Sequence, residues 1–162
     1  MRHTISVLVE NKFGVLARIA TLFAARGFNI DSLAVGETED PLISRMTIVV
    51  SGDDRTLEQV EKQLNKLIDV IKVNDFKGIQ HIESGIALIK VNVNKANRPE
   101  IVRIAEMFQA KISDVATDSI IVEISGDEQK IQSIINMLKP FGLKEMCRTG
   151  IIAMACGIKD SV

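Results

Sequence analysis

Apolar positions near the start of the chain alternate and then change period. Ile5, Val7 and Val9 alternate with Thr4, Ser6 and Leu8, the spacing of a mostly buried strand. Val15, Leu16, Ile19, Leu22 and Phe23 then recur at i, i+1, i+4, i+7 and i+8, one apolar helical stripe with Arg18, Thr21 and Arg26 opposite. Gly27 is placed to end that helix as its C-cap. Two strands follow over roughly 29–38 and 43–51, turned by Glu39-Asp40-Pro41. Thr56 and Gln59 form a capping box ahead of a second stripe, Leu57, Val60, Leu64 and Leu67, and a strand over 68–73 closes the set.

The same pattern then recurs. Val15-Leu16-Ala17-Arg18-Ile19-Ala20-Thr21-Leu22-Phe23 aligns with Glu100-Ile101-Val102-Arg103-Ile104-Ala105-Glu106-Met107-Phe108 at an offset of 85, and Val50-Ser51-Gly52-Asp53-Asp54 with Ile124-Ser125-Gly126-Asp127-Glu128 at 74. The second copy is shorter by the difference, 11 residues. It reads as a strand over 86–93, a helix over 98–109 with Pro99 in its first turn, strands over 112–115 and 120–125, a helix over 127–138 stopped by Pro140, and one closing strand over 144–155. The tail over 157–162 reads as polar and frayed. The fold class expected is α+β: two βαββαβ units in tandem, each one antiparallel sheet with both helices on one face, the split ferredoxin-like arrangement. The division expected is 1–77, a linker over 78–84, and 85–162.

Composition narrows the function classes. The chain has 162 residues, 20 Lys+Arg against 21 Asp+Glu and 46% apolar residues, so two small soluble domains with real cores are allowed. No apolar run reaches the ~18 residues of a spanning helix and no signal-peptide pattern opens the chain, which makes a cytoplasmic protein without membrane contact the expectation. With no basic run longer than two residues, nucleic-acid binding by bulk electrostatics is not expected. Two cysteines, Cys147 and Cys156, read as reduced; on one continuous strand their odd separation points them to opposite faces. His3 and His81 have no metal-ligand neighbours, so no metal site is expected. Neither a nucleophile–histidine arrangement nor a phosphate loop is present, and no catalytic residue is assigned. A binding protein is the expectation.

Its informative loop is Glu10-Asn11-Lys12-Phe13-Gly14-Val15-Leu16, between the first strand and first helix. Free N–H groups at a helix start favour a carboxylate or phosphate, and Gly14 lets an anion approach the backbone without a Cβ in the way. A plainer reading makes Gly14 a tight turn and Asn11 an ordinary N-cap. Asn29, after Gly27-Phe28, offers an amide able to meet an ammonium or a carboxylate, or serves as a turn residue. Together with apolar neighbours these describe a site for a small apolar amino acid, with Asn11, Lys12, Phe13, Gly14, Val15, Leu16, Asn29 and Ile30 as its candidates.

The runs Ile5-Ser6-Val7-Leu8-Val9-Glu10-Asn11-Lys12-Phe13-Gly14-Val15-Leu16-Ala17-Arg18, Arg26-Gly27-Phe28-Asn29-Ile30-Asp31-Ser32-Leu33 and Asp40-Pro41-Leu42-Ile43-Ser44-Arg45-Met46-Thr47-Ile48 closely resemble the regulatory small subunits of acetohydroxyacid (acetolactate) synthase. The first unit resembles an ACT domain, a module that binds amino acids at dimer interfaces. The likeness continues through Lys62-Gln63-Leu64-Asn65-Lys66-Leu67, Val122-Glu123-Ile124-Ser125-Gly126 and Arg148-Thr149-Gly150. It departs at Ser84-Gly85, Ile151 and Cys156, which leaves the second unit's role open.

The resemblance implies a non-catalytic subunit with no cofactor of its own. Its partner would be a larger catalytic subunit carrying thiamine diphosphate, Mg2+ and FAD; it would activate that subunit and relay feedback inhibition by valine, as a homodimer or higher oligomer. An amino-acid-responsive transcription regulator is the alternative from another class, opposed by the lack of a helix-turn-helix, and a free-standing amino-acid sensor is a third.

Overall fold

The computed structural model describes residues 2–157, the Thr56 side chain aside; the tail over 158–162 lies outside the described residues. The first repeat folds as β1 (Arg2–Glu10), α1 (Val15–Ala25), β2 (Ile30–Glu37), β3 (Ile43–Ser51), α2 (Asp54–Leu64) and β4 (Val70–Asp75). Its sheet has the antiparallel order β2-β3-β1-β4. Alternation along β1 and β3 sends Ile5, Val7, Val9, Met46, Ile48 and Val50 to one face, where they meet Val15, Ile19 and Phe23 of α1 and Leu57, Val60 and Leu64 of α2. Each of these fully buried side chains contributes roughly 1.5–3 kcal/mol. This is the ferredoxin-like unit read from the periodicities.

The second repeat gives β5 (His81–Asn92), α3 (Arg98–Met107), β6 (Lys111–Val115), β7 (Ser119–Gly126), α4 (Glu128–Leu138) and β8 (Leu143–Arg148), with a one-turn 3₁₀ segment at Lys139–Phe141 around Pro140. Its order, β6-β7-β5-β8, is the same path. Ile89, Val91, Ile101, Ile104, Val122, Ile124, Ile134 and Leu138 form its core. The repeat extends to irregularities: the register shifts between Leu8 and Val9 on β1 and between Lys90 and Val91 on β5, and again between Ile30 and Ser32 on β2 and between Ile112 and Asp114 on β6.

Helix ends follow local chemistry. Gly27, at φ 71°, closes α1 in a Schellman arrangement, with the Phe28 N–H reaching the Phe23 carbonyl at 3.0 Å and the Gly27 N–H reaching that of Ala24 at 3.1 Å. The expected capping box at Thr56 does not start α2. That helix begins two residues earlier, at Asp54, and the Leu57 N–H already bonds the Asp53 carbonyl at 3.1 Å. An acidic residue in the first turn complements the helix dipole, which favours the earlier start.

The single closing strand expected over 144–155 is two strands, β8 and β9 (Ile152–Ala155). Thr149 ends the first by bonding Ile86 through both its N–H, at 2.9 Å to the carbonyl, and its hydroxyl, which accepts the Ile86 N–H at 2.9 Å. The chain then leaves that strand. The Ile151 N–H donates to Ser32 Oγ at 3.0 Å, Cys156 N–H bonds the Gln80 carbonyl at 2.8 Å, and β9 pairs with β5. Residues 150–157 accordingly group with 2–82 as one compact unit and 83–149 form the other, where the sequence-based division kept 85–162 together. The face argument for the cysteines loses its premise: Cys147 lies on β8, Cys156 beyond β9, and both are free thiols.

Candidate functional site

The loop between β1 and α1 is built around a backbone that only glycine adopts easily. Gly14 is the N-cap of α1 with φ 84° and ψ −5°, and α1 has no side-chain cap. The Val15 N–H reaches the Lys12 carbonyl at 3.4 Å, and the next N–H groups of the first turn lack the acceptor that a Ser, Thr or Asp at position 14 would supply. A Cβ built on Gly14 meets nothing within 4 Å, so the ground in front of the helix end is open. Helix start, positive dipole end and clear approach coincide here, the requirements for receiving a carboxylate.

Asn11 is not the N-cap of the plainer reading. Its N–H donates to the Leu42 carbonyl at 2.7 Å, and its Nδ2 to the Pro41 carbonyl at 2.8 Å and to Glu37 Oε1 at 3.1 Å. It ties the loop to the far end of β2 and to the turn after it. Lys12 pairs with Glu10, which raises the Lys12 pKa through that hydrogen bond and charge. Arg18, one turn into α1, pairs with Asp69, a buried carboxylate whose own carbonyl accepts the Glu10 N–H at 2.9 Å. Phe13 stands fully exposed, Leu16 is 44% exposed beside it, and Val15 belongs with its side chain to the core, so Val15 can offer the site only backbone.

Asn29 and Ile30 lie elsewhere. Asn29 Nδ2 donates to Asp31 Oδ1 at 2.9 Å, and Ser51 Oγ donates to the other Asp31 oxygen at 2.5 Å; these two bonds hold the Asp31 pKa below its ordinary value. Register places the two groups: Glu10 faces Ile43 on β3 whereas Ile30 faces Val50 on the same strand. Seven residues of strand separate them, roughly 23 Å. Within one chain Asn11 to Leu16 sit together, and Asn29 and Ile30 sit at the opposite end of the sheet.

Sequence reasoning missed Glu37, Arg18 and Asp69. Asp69 carried a signal, a lone carboxylate inside Leu67-Ile68-Asp69-Val70-Ile71, where an unpaired charge is too costly to bury. Among the described residues no group of three His, Cys, Asp or Glu side chains could hold a metal ion, and no helix is long and apolar enough to cross a membrane.

An uncapped helix start beside a free sheet edge, in a β2-β3-β1-β4 unit, is the architecture of the ACT class, and residues 5–72 match the family described as the AHAS small subunit-like ACT domain. Residues 84–157 match the family described as the small subunit of acetolactate synthase. Among relatives, the acetolactate synthase small subunit of Aquifex aeolicus is 53% identical over 94% of this chain and 80% of its own length. The probable acetolactate synthase small subunit of Archaeoglobus fulgidus is 53% identical over 98% of this chain and 99% of its own. The crystal structure of the Thermotoga maritima small subunit superposes with a TM-score of 0.89 at 43% identity, covering 98% of this chain and 99% of that one. The chain belongs to the acetolactate synthase small-subunit family.

Proposed function

We propose that this chain is a non-catalytic regulatory subunit that activates an acetolactate synthase catalytic subunit and mediates its feedback inhibition by valine, bound between two copies of the first unit. The catalytic partner would hold the thiamine diphosphate, Mg2+ and FAD, and the 2-oxo acid condensation would be its work. Family membership supports a subunit role. The observation that carries the site is the separation of its two halves along one unpaired edge strand.

β2 is the outer strand of its sheet, eight residues long and without proline or lysine to guard it. A two-fold axis that pairs β2 antiparallel with the second copy's β2 sets the Ile30 end of one strand against the Glu37 end of the other. Asn11 is bonded to Glu37, so the loop from 11 to 16 of one copy then faces Asn29 and Ile30 of the other, twice per dimer. The amino acid carboxylate meets the open α1 terminus, and its ammonium meets the Asn29 carbonyl oxygen, the amide nitrogen being held by Asp31. Leu16 and Ile30 supply apolar surface for a branched side chain.

The test is complementation. Gly14→Asp and Asn29→Ala each damage both sites of a homodimer. Mixed after reversible dissociation, the two variants form a heterodimer in which one site carries both lesions and the other carries neither. The expected result is recovery by calorimetry of one wild-type-affinity valine site per heterodimer. If mixing restores no such site, the residues do not meet across an interface and the reading fails.

A further inference from the structure

Arg148-Thr149-Gly150 contributes nothing to the effector site, yet each of its residues is pinned. Arg148 pairs with Glu128 of α4 at 3.0 Å, and Thr149 holds Ile86 of β5 by its backbone and hydroxyl. Gly150 lies flat on β2: a Cβ built there would overlap the Leu33 carbonyl and come within 2.9 Å of the Ala34 nitrogen. Backbone atoms cannot yield as a flexible side chain would, so the position tolerates no side chain while the contact stands. The next residue bonds Ser32 Oγ through its N–H at 3.0 Å, and Ile151 and Ala153 are 2% and 5% exposed.

The side of the sheet involved follows from register. Ser32 faces Val49 and Ala34 faces Thr47, whereas Leu33 faces Ile48 of the helix-side core. Ser32, Ala34, Thr47 and Val49 therefore share the side away from the helices, and β9 lies against β3. Thr47 and Val49 are buried there at 2% and 0% exposure. The segment from Gly150 to Ala155 starts against β2, the edge strand that begins at Ile30, where Gly150 and Ile151 meet Ser32, Leu33 and Ala34, and continues as β9 against β3.

We propose that residues 150–155 are a strap that holds β2 in its pairing-competent form, with Gly150 the positioning residue that lets the strap lie against the Leu33 and Ala34 backbone. The regulatory part of this inference rests on the effector reading above; the clamping of β2 does not. Gly150 is thereby set apart from residues that touch the effector.

The experiment compares the full-length wild type with Gly150→Val and, as a milder variant that keeps the glycine, Ser32→Ala. Hydrogen exchange is followed in peptides covering 30–37, 150–157 and, as reference, 128–138. Gly150→Val is expected to speed exchange at least tenfold in both of the first two peptides and to leave the third unchanged, and Ser32→Ala to act in the same direction by about threefold. Loosening of 150–157 with exchange in 30–37 within twofold of wild type would overturn the strap. In enzyme reconstituted with the catalytic subunit, Gly150→Val is expected to keep activation within twofold while the valine concentration for half-inhibition rises at least tenfold. Activation and inhibition lost in parallel would mark a merely structural role and overturn the positioning one. Failure of the wild type to bind valine by calorimetry would sink the effector reading alone, since the exchange comparison decides the clamp without valine.

Discussion

The two units share strand order, helix placement and even register shifts, and differ where the first helix of each begins. In the first unit the N-cap is Gly14, left-handed and without a side chain. In the second, the equivalent loop is folded on itself: Asn94 Oδ1 accepts the N–H groups of Ala96 and Asn97 at 2.9 Å each, Asn97 Oδ1 accepts that of Asn94 at 2.8 Å, and Pro99 removes a donor from the first turn. Arg98 adds hydrogen bonds to the Ala116 and Thr117 carbonyls. Edges differ in length and in lysine, since β2 runs eight residues with Asp31 and Glu37 as its only charges while β6 runs five and opens on Lys111. Neither first helix has a side-chain cap, so the contrast lies in the loop before it: a left-handed glycine with open ground in the first unit, a loop hydrogen-bonded on itself in the second. Under the proposed reading, effector chemistry belongs to the first.

The sharpest way to break that comparison is to close the open end. Under the proposed reading, Gly14→Asp is expected to raise the valine concentration for half-inhibition about 100-fold, because it would place a like charge where the carboxylate arrives. The positive φ of Gly14 means that any side chain there also costs about 1–2 kcal/mol of strain. Gly14→Asn, which tolerates that conformation and carries no charge, separates the two effects and should raise half-inhibition only about tenfold. Equal effects of Asp and Asn would remove charge from the explanation.

Asn29→Ala comes next, with about a tenfold rise in half-inhibition for one lost hydrogen bond to a charged group and activation of the catalytic subunit unaltered. Asn94→Ala should behave oppositely. It opens the closed loop, lowers thermal stability by about 1 kcal/mol, and leaves half-inhibition by valine where it was. A shifted valine response in Asn94→Ala would erase the functional distinction between the two helix starts.

The smallest effect concerns pH. Glu61 on α2 has its pKa raised by partial burial, then by Asp75 and Glu58, whereas α4 carries a neutral Gln132–Asn136 hydrogen bond at 3.0 Å. A carboxyl with a raised folded pKa favours folding only while protonated, and that contribution fades as pH climbs past its unfolded value near 4.5. Glu61→Gln should therefore raise the melting temperature on the order of 1 °C at pH 7 and have no effect at pH 4. A gain that persists at pH 4 would assign the effect to packing.

Element order and the tandem repeat were legible because both rest on periodicity, and periodicity is what a half-buried strand or helix imposes on its sequence. The break at Gly150 was not, since Lys144 to Ala155 alternates well enough to read as one strand and only contact with Leu33 and Ser32, far away in sequence, ends it. At the site, the loop from Asn11 to Leu16 was legible as a helix start. The roles of Asn11 and Val15 were not: Asn11 has its partners 26 and 30 residues away, and Val15 turns its side chain inward. Nor could spacing show that Asn29 lies at the other end of the sheet, because separation along β3 depends on register.

A helix whose N-cap is a glycine offers its first turn no side-chain acceptor, and under the proposed reading valine supplies one. Occupancy then adds to the folding free energy by mass action, about 2.7 kcal/mol when valine stands at 100 times its dissociation constant. A cell rich in the end product would hold this subunit in its most protease-resistant form, and a starved cell would hold it in its least resistant form. The bare end of α1 would in this way let the nutrient state set how long the regulator survives as well as what it does.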